Sequence, residues 1–112
     1  MTAKAQTLME TALRRALKNN ELFLVYQPKF NLNTQQWQGM EALVRWNSPD
    51  EGVISPARFI PVAEQSGLMI ELGYWVLEQA CRQAQQWQQQ KLGVGRISVN
   101  VSGLQLQNAD LM

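Results

Sequence analysis

The sequence EALVRW at residues 41–46 places two opposite charges inside an otherwise apolar run. Successive side chains of a β-strand point to opposite faces. As a strand, this stretch would present Glu41, Leu43 and Arg45 on one face and apolar side chains on the other. The charged face is therefore either exposed to solvent or part of a site in which a carboxylate and a guanidinium act together.

Length and composition exclude several classes of protein. The 112 residues allow one domain of ordinary size, and an apolar content of 46% is typical of a globular protein. A net charge of +1 without a run of Lys and Arg argues against a nucleic-acid polymer as partner. The absence of His and the single Cys81 exclude imidazole triads, an intrachain disulfide and a cysteine-based metal cluster.

The sequence also bears on location. No segment is apolar for long enough to insert into a membrane. Charged residues near the N-terminus, such as Lys4 and Glu10, do not fit a signal peptide. We therefore expect a cytoplasmic segment, while the parent protein is free to be membrane-anchored elsewhere.

The first half of the chain predicts a helix followed by a β-hairpin. Residues 2–19 form the helix, which Thr2 caps and which we interpret as a linker or packing helix. Residues 22–30 and 35–46 form the two strands, and Pro28, which lacks an N–H group, indicates that the first strand ends a sheet or lies at its edge. Residues 47–52 are expected to be a loop. The predicted buried stripe of the helix comprises Leu8, Ala12, Ala16 and Leu17.

The second half predicts two helices and a third strand. Ser55 and Pro56 are typical of a helix start, and a short helix follows them. A longer helix covers about residues 70–90. Residues 96–101 form a strand, after which residues 104–112 begin another helix. The predicted buried stripe of the longer helix comprises Ile70, Tyr74, Leu77, Cys81 and Ala84.

This order of elements indicates an α/β architecture. A strand, a crossover helix and another strand are typical of a parallel βα unit, as in an α/β barrel or an open α/β sheet. Three strands cannot close a barrel, and a complete βα barrel takes roughly 250 residues. We therefore expect the chain to be the opening portion of a larger domain.

Polar groups interrupt one face of each predicted strand. Gln27 and Lys29 share a face of the first strand, Glu41 and Arg45 of the second, and Asn100 lies on the third. If these faces converge, carboxylate and amide oxygens suit a divalent cation such as Mg²⁺, and the Arg suits a phosphate. One carboxylate and one amide are an incomplete metal shell, so spacing alone favours a solvent-exposed face over a site.

Six stretches, in order, resemble those of the EAL domain, the bacterial phosphodiesterase that hydrolyses cyclic di-GMP to linear pGpG. The bare EAL tripeptide carries little information, whereas the ordered set, which covers about residues 10–112, is specific. The resemblance identifies residues 20–112 as the N-terminal portion of an EAL domain, preceded by the helix in residues 1–19. The six stretches are LFLVYQP (22–28), MEALVRW (40–46), GVISPARFIPVAE (52–64), GL (67–68), LGYWVLEQAC (72–81) and VNVS (99–102).

The resemblance implies a fold and a site. The fold is a partial (β/α) TIM-like barrel with an antiparallel first strand, incomplete in this chain. Glu41 matches a catalytic residue that binds Mg²⁺ or Mn²⁺, and Asn100 matches a second metal ligand. Gln27, Leu43 and Arg45 match positions that bind cyclic di-GMP, with Arg45 on a phosphate. In the family, two such ions activate a water for in-line attack on phosphorus.

The family's later acidic stretches have no counterpart in this chain. Its paired aspartates (DDFG), the Glu before them and the Lys and Glu after them are absent, and Asp110 is the single acidic residue after Asn100. We therefore expect part of a cyclic di-GMP phosphodiesterase that is inactive alone, and whether it holds a metal is left open. The alternative is a non-catalytic interaction module of cyclic di-GMP signalling. An incomplete barrel leaves sheet edges and apolar helix faces uncovered, which favours self-association or pairing with another chain.

Overall fold

A computed structural model describes residues 2–99, which contain three helices and four strands. Residues 100 and 101 of the predicted third strand, together with the helix predicted over 104–112, lie outside the described residues. The elements are α1 (Ala3–Lys18), β1 (Leu22–Asn31), β2 (Gln36–Ser48), β3 (Gly52–Ile54), α2 (Pro56–Ser66), α3 (Leu68–Gln89) and β4 (Ile97–Val99).

The predicted hairpin is confirmed. β1 and β2 are antiparallel, with Gln27 opposite Glu41. In the turn, the side-chain Oδ1 of Asn31 accepts a hydrogen bond from the backbone N–H of Thr34 at 3.2 Å, as Asn does when it replaces a backbone turn bond. Among the described strands β1 pairs with β2 alone, so Pro28 lies on an edge strand, as predicted.

β2 is the central strand of the described sheet. On the side away from β1 it pairs in parallel with β4, Glu41 opposite Ser98, and in antiparallel fashion with β3. The parallel βα unit is therefore confirmed, with α2 and α3 as the crossover. The loop predicted over residues 47–52 is wrong in part, because Asn47 and Ser48 extend β2 and pair with β3. Three residues of β3 carry too little pattern to be recognised without their partner strand.

Local side-chain chemistry sets the helix starts that the sequence predicts. The hydroxyl of Thr2 accepts from the N–H of Ala5 at 3.1 Å, and that of Ser55 accepts from Ala57 at 3.2 Å. Each bond satisfies one of the N–H groups that a helix start leaves without an internal partner. Gly67, at φ 83°, then separates α2 from α3 in the left-handed region that suits glycine.

The helices cover one face of the sheet and form the core with it. Trp46 of β2 is fully buried and packs edge to face against Phe59 of α2, with ring centroids 5.5 Å apart. Tyr26 of β1 makes a similar contact with Trp87 of α3 at 4.9 Å. The helices thus hold the hairpin by its apolar face and leave its charged face on the opposite side.

The predicted buried stripe of α3 is wrong for most of its members. Ile70 and Tyr74 are 61% and 71% exposed, and Cys81 is also exposed. α3 carries two apolar stripes at helical spacing, and the one that faces the core includes small residues, which let the helix lie close to its neighbours. The buried residues of α3 are Leu68, Met69, Leu72, Gly73, Val76, Ala80 and Ala84.

The stripe predicted for α1 is wrong at one end. Leu8 is 63% exposed, whereas Met9, Leu13 and Ala16 are buried against the rest of the domain. α1 packs against the rest of the described domain through this face, which is rotated by about one residue relative to the predicted face. In both helices the tertiary partner, and not the periodicity, selects which stripe is buried.

Candidate functional site

The predicted charged face of β2 lies on the side of the sheet opposite the core. We call this surface the site face. It follows from the strand register, because residues opposite one another on neighbouring strands share a face. Its members are Phe23, Val25, Gln27 and Lys29 of β1, Glu41, Leu43 and Arg45 of β2, and Ser98 of β4.

The structure aligns three of the polar side chains of the site face across three strands. Gln27 lies opposite Glu41 on one side, and Ser98 lies opposite Glu41 on the other. Arg45 is further along β2, opposite Phe23, with Leu43 between it and Glu41. The predicted residues Gln27, Glu41, Leu43 and Arg45 are therefore on one face, whereas Asn100 lies outside the described residues.

Glu41 is paired with a cation from the neighbouring strand. Lys29 Nζ lies 3.5 Å from Glu41 Oε1, and the Glu41 side chain is 18% exposed. The sequence predicts Lys29 on the same face as Gln27 but gives it no role in the site. The signal that points to it is its position two residues after Gln27, which puts it diagonally opposite Glu41 in an antiparallel pair.

Arg45 does not pair with Glu41. Its Nη1 instead donates to the carbonyl oxygen of Val44 at 2.9 Å, and the side chain is half-buried. A guanidinium has five N–H donors, so this bond to its own strand uses one of them. The arrangement separates the charge-balanced end of the site face, at the Glu41–Lys29 ion pair, from a basic end at Arg45.

The donor set on the site face suits a metal ion only in part. Within residues 2–99 no three acidic, His or Cys side chains come together as a metal-binding group. Mg²⁺ prefers an octahedral shell of oxygen ligands, and the site face offers one carboxylate, that of Glu41. These residues can supply part of the coordination shell of a metal ion. The remaining ligands would have to come from outside the described part of the chain.

Gly39 sets the approach of β4 to Glu41. It adopts φ 110°, and a Cβ at this position would lie 2.1 Å from the carbonyl oxygen of Arg96. That oxygen accepts the N–H of Met40 at 2.8 Å, the bond that leads β4 onto β2. The patterns in the sequence did not single out Gly39, although a glycine inside a predicted strand is a recognised sign of close backbone approach.

A cavity of about 420 Å³ opens beside the ion pair. Trp37 forms one wall, and its indole N–H donates to the carbonyl oxygen of Val94 at 2.8 Å. The cavity lies at the edge of the sheet where β1 ends and β2 and β4 begin, and it has a basic, polar lining. Its lining residues are Lys29, Trp37, Gln38, Arg96 and Ser98.

These residues define a site on the open polar face of an incomplete α/β barrel. The family model of the EAL domain matches residues 10–112. The chain belongs to the EAL domain family, and its fold is the first part of that family's barrel, with an antiparallel first strand.

Curated proteins with similar sequences support the family assignment. The chain is 41% identical over 108 residues to the oxygen sensor protein DosP of Escherichia coli, covering 96% of the chain and 14% of that protein. It is 41% identical over 114 residues to the bifunctional diguanylate cyclase/cyclic di-GMP phosphodiesterase MucR of Pseudomonas aeruginosa, covering all of the chain and 17% of that protein. The chain therefore spans about a seventh to a sixth of the length of these curated relatives.

Solved structures give the same fold. The PaMucR phosphodiesterase in complex with c-di-GMP superposes with a TM-score of 0.79 and 41% sequence identity. The superposition covers 93% of the chain and 42% of that structure.

Across residues 2–99, none of the helices combines the length and the apolar character that a membrane span requires.

Proposed function

We propose that this chain is the N-terminal part of a bacterial phosphodiesterase that hydrolyses cyclic di-GMP to linear pGpG. The observation that carries the proposal is the alignment of Gln27, Glu41 and Ser98 across three strands of one open face, with Arg45 further along it. The similarity to MucR, described as a cyclic di-GMP phosphodiesterase, supports the substrate. A cytoplasmic location stays a prediction from the sequence.

In this proposal Glu41 is a catalytic residue and a metal ligand, and Asn100 is a second ligand. Bound Mg²⁺ or Mn²⁺, two ions in a complete site, would supply Lewis-acid activation of a water for attack on phosphorus. The contribution of this chain is to hold the Glu41 carboxylate at the centre of the face. Lys29 lies 3.5 Å from this carboxylate, compensates its charge and helps to orient it.

Gln27, Leu43 and Arg45 would bind the dinucleotide. A guanidinium matches two phosphate oxygens at once, and Arg45 takes this role by exchanging its bond to the Val44 carbonyl for bonds to the ligand. Gln27 both donates and accepts through its amide. Leu43, half-buried between Glu41 and Arg45, offers apolar surface to the ligand.

Hydrolysis should require more of the domain than this chain contains. With one carboxylate on the site face among residues 2–99, we expect the 112-residue chain to be inactive and the whole protein to be active with Mn²⁺. Turnover of cyclic di-GMP to pGpG, followed by chromatography, tests both statements. An inactive whole protein would refute the enzyme proposal, and turnover by the 112-residue chain would refute the expected inactivity.

A pair of variants of the whole protein tests the role of Glu41. We expect Glu41→Gln to lower turnover by at least about a hundredfold, because charge that stabilises the transition state is lost. Glu71→Gln is the matched control, since Glu71 is an exposed residue in the first turn of α3, and its turnover should equal that of wild type. Equal turnover of the two variants would remove Glu41 from the mechanism.

The second candidate function is a non-catalytic interaction module. Two apolar residues of the site face, Phe23 and Val25, are 43% and 36% exposed. Burying them against a second copy or another chain would be favourable. Light scattering with a cyclic di-GMP titration decides this point: a dimer without ligand affinity favours the module, and a monomer contradicts self-association.

A further inference from the structure

Glu21 is a buried carboxylate that the proposed chemistry does not use. It is 8% exposed and lies between α1 and the start of β1. Its Oε1 accepts from the indole N–H of Trp46 at 3.1 Å, and its Oε2 lies 3.6 Å from Nε of Arg15. A buried charge is unfavourable unless it is paired and hydrogen-bonded, and here one α1 residue and one β2 residue share that task.

The backbone of Glu21 joins the same two elements. Its N–H donates to the carbonyl of Ala16 in α1 at 3.3 Å, and its carbonyl accepts the N–H of Asn47 in β2 at 3.0 Å. Arg15 also lies 3.4 Å from Asp50, in the turn that follows β2. The end of α1 is therefore attached to the end of β2 through side chains and backbone together.

The end of β2 that Glu21 holds is the end that carries Arg45. Trp46 and Arg45 are consecutive, so they point to opposite faces of one strand, the core and the site face. A displacement of Trp46 must move the backbone of Arg45. The opposite end of the site, at Glu41, is held by Lys29 and β4 and has no contact with Glu21 in the described residues.

We propose that Glu21 is a positioning residue for the site, through which α1 sets the placement of Arg45. A change in α1 that moves Arg15 removes the positive charge from the buried carboxylate, alters its bond to Trp46 and shifts the basic end of the site face. This inference rests on the proposed function where it concerns ligand affinity. The link from Arg15 to Trp46 is independent of it.

The link is tested by NMR on the ¹⁵N-labelled 112-residue chain. We expect Arg15→Gln to move the Trp46 indole N–H resonance and the Arg45 backbone amide, and Arg15→Lys to restore both in large part. Arg14→Gln is the matched control, because Arg14 pairs with Glu10 within α1 at 3.2 Å. It should leave both resonances in place. An unmoved Trp46 indole in Arg15→Gln, or an equal shift in Arg14→Gln, would overturn the proposal.

Affinity for cyclic di-GMP in the whole protein tests the consequence. We expect Arg15→Gln to weaken binding about two- to thirtyfold, the usual range for residues that couple sites without contacting the ligand. In an Arg45→Ala background the same change should have no further effect, which a general loss of stability would not produce. Equal weakening in both backgrounds would overturn the positioning role. Absence of wild-type binding would count against the proposed function, and the NMR shifts would then decide the link alone.

Discussion

The two faces of β2 differ in what holds them. On one face, Ala42 and Trp46 are 3% and 0% exposed and pack into a core shared with all three described helices. On the other, Glu41 and Arg45 remain partly exposed, and their contacts are one ion pair and one bond to the strand's own backbone. The core face accounts for stability, and the site face is left able to bind something else.

The effect of substitution on stability should differ most between the two faces at the neighbouring residues 45 and 46. We expect Trp46→Ala to lower the free energy of unfolding by about 3–5 kcal/mol, because it leaves a large cavity and removes a partner of Glu21. Arg45→Ala should change it by about 0.5 kcal/mol or less, as surface substitutions do. Urea denaturation followed by circular dichroism measures both. Similar losses in the two variants would mean that the faces are not distinct.

The junction with β4 should be the next most sensitive point. Gly39→Ala combines a backbone strain of about 1–2 kcal/mol with a steric clash against Arg96 of about 1–3 kcal/mol. Gly52→Ala is the control, because Gly52 also has a positive φ, of 77°, but nothing lies within 4 Å of the added Cβ. Only the strain should remain there. Equal destabilisation would show that β4 does not need this close approach.

The pKa of Tyr26 shows how far the helices bury the core face. Burial beside Trp87 raises the pKa of Tyr26 to about 12, from an ordinary value of 10.0. The folded state therefore favours the neutral phenol, and its contribution to stability is complete below pH 10 and lost as the pH rises towards 12. We expect the free energy of unfolding to fall over that interval in wild type and in Tyr74→Phe, but less steeply in Tyr26→Phe. A fall of equal steepness in Tyr26→Phe would contradict the assignment.

The smallest effect on stability should come from the ion pair of the site face. Lys29→Met removes the cation 3.5 Å from Glu41, in a pair that is exposed at the lysine end, and should lower the free energy of unfolding by about 0–1 kcal/mol. Lys18→Met, at the exposed C-terminal end of α1, is the control for loss of a positive charge. If Lys29→Met alone lowered the free energy of unfolding by well over 1 kcal/mol, the prediction would be wrong and the ion pair would be a stabilising contact.

Local chemistry made the fold predictable in outline. The caps at Thr2 and Ser55 and the edge position of Pro28 each depend on one residue and its neighbours, so the sequence contains them. The buried stripe of α3 depends on which of two apolar stripes meets the sheet. That choice is made by residues far away in sequence. Helical spacing alone therefore predicts burial of Ile70 and Tyr74, which are exposed.

The candidate site was predictable in its members but not in their pairing. Strand alternation placed Glu41 and Arg45 on one face of their strand, and the register between β1 and β2 brings Gln27 onto the same face. The family resemblance proposed their roles. The partner of Glu41 depended on the register between β1 and β2, which brought Lys29 to it and left Arg45 on its own strand. The role of Gly39 required the position of a strand that is distant in sequence.

The strand pairing also implies an order of assembly. β1 and β2 are joined by a short turn, and hairpins of this kind close in roughly 1–10 μs. Residue 40 meets residue 97 only after α2 and α3 have been placed between them, and such non-local pairings are kinetically slow. Gln27 and Glu41 should thus come together early, with Ser98 arriving late. Pulse-labelling hydrogen exchange would show protection of the hairpin amides before those of β4.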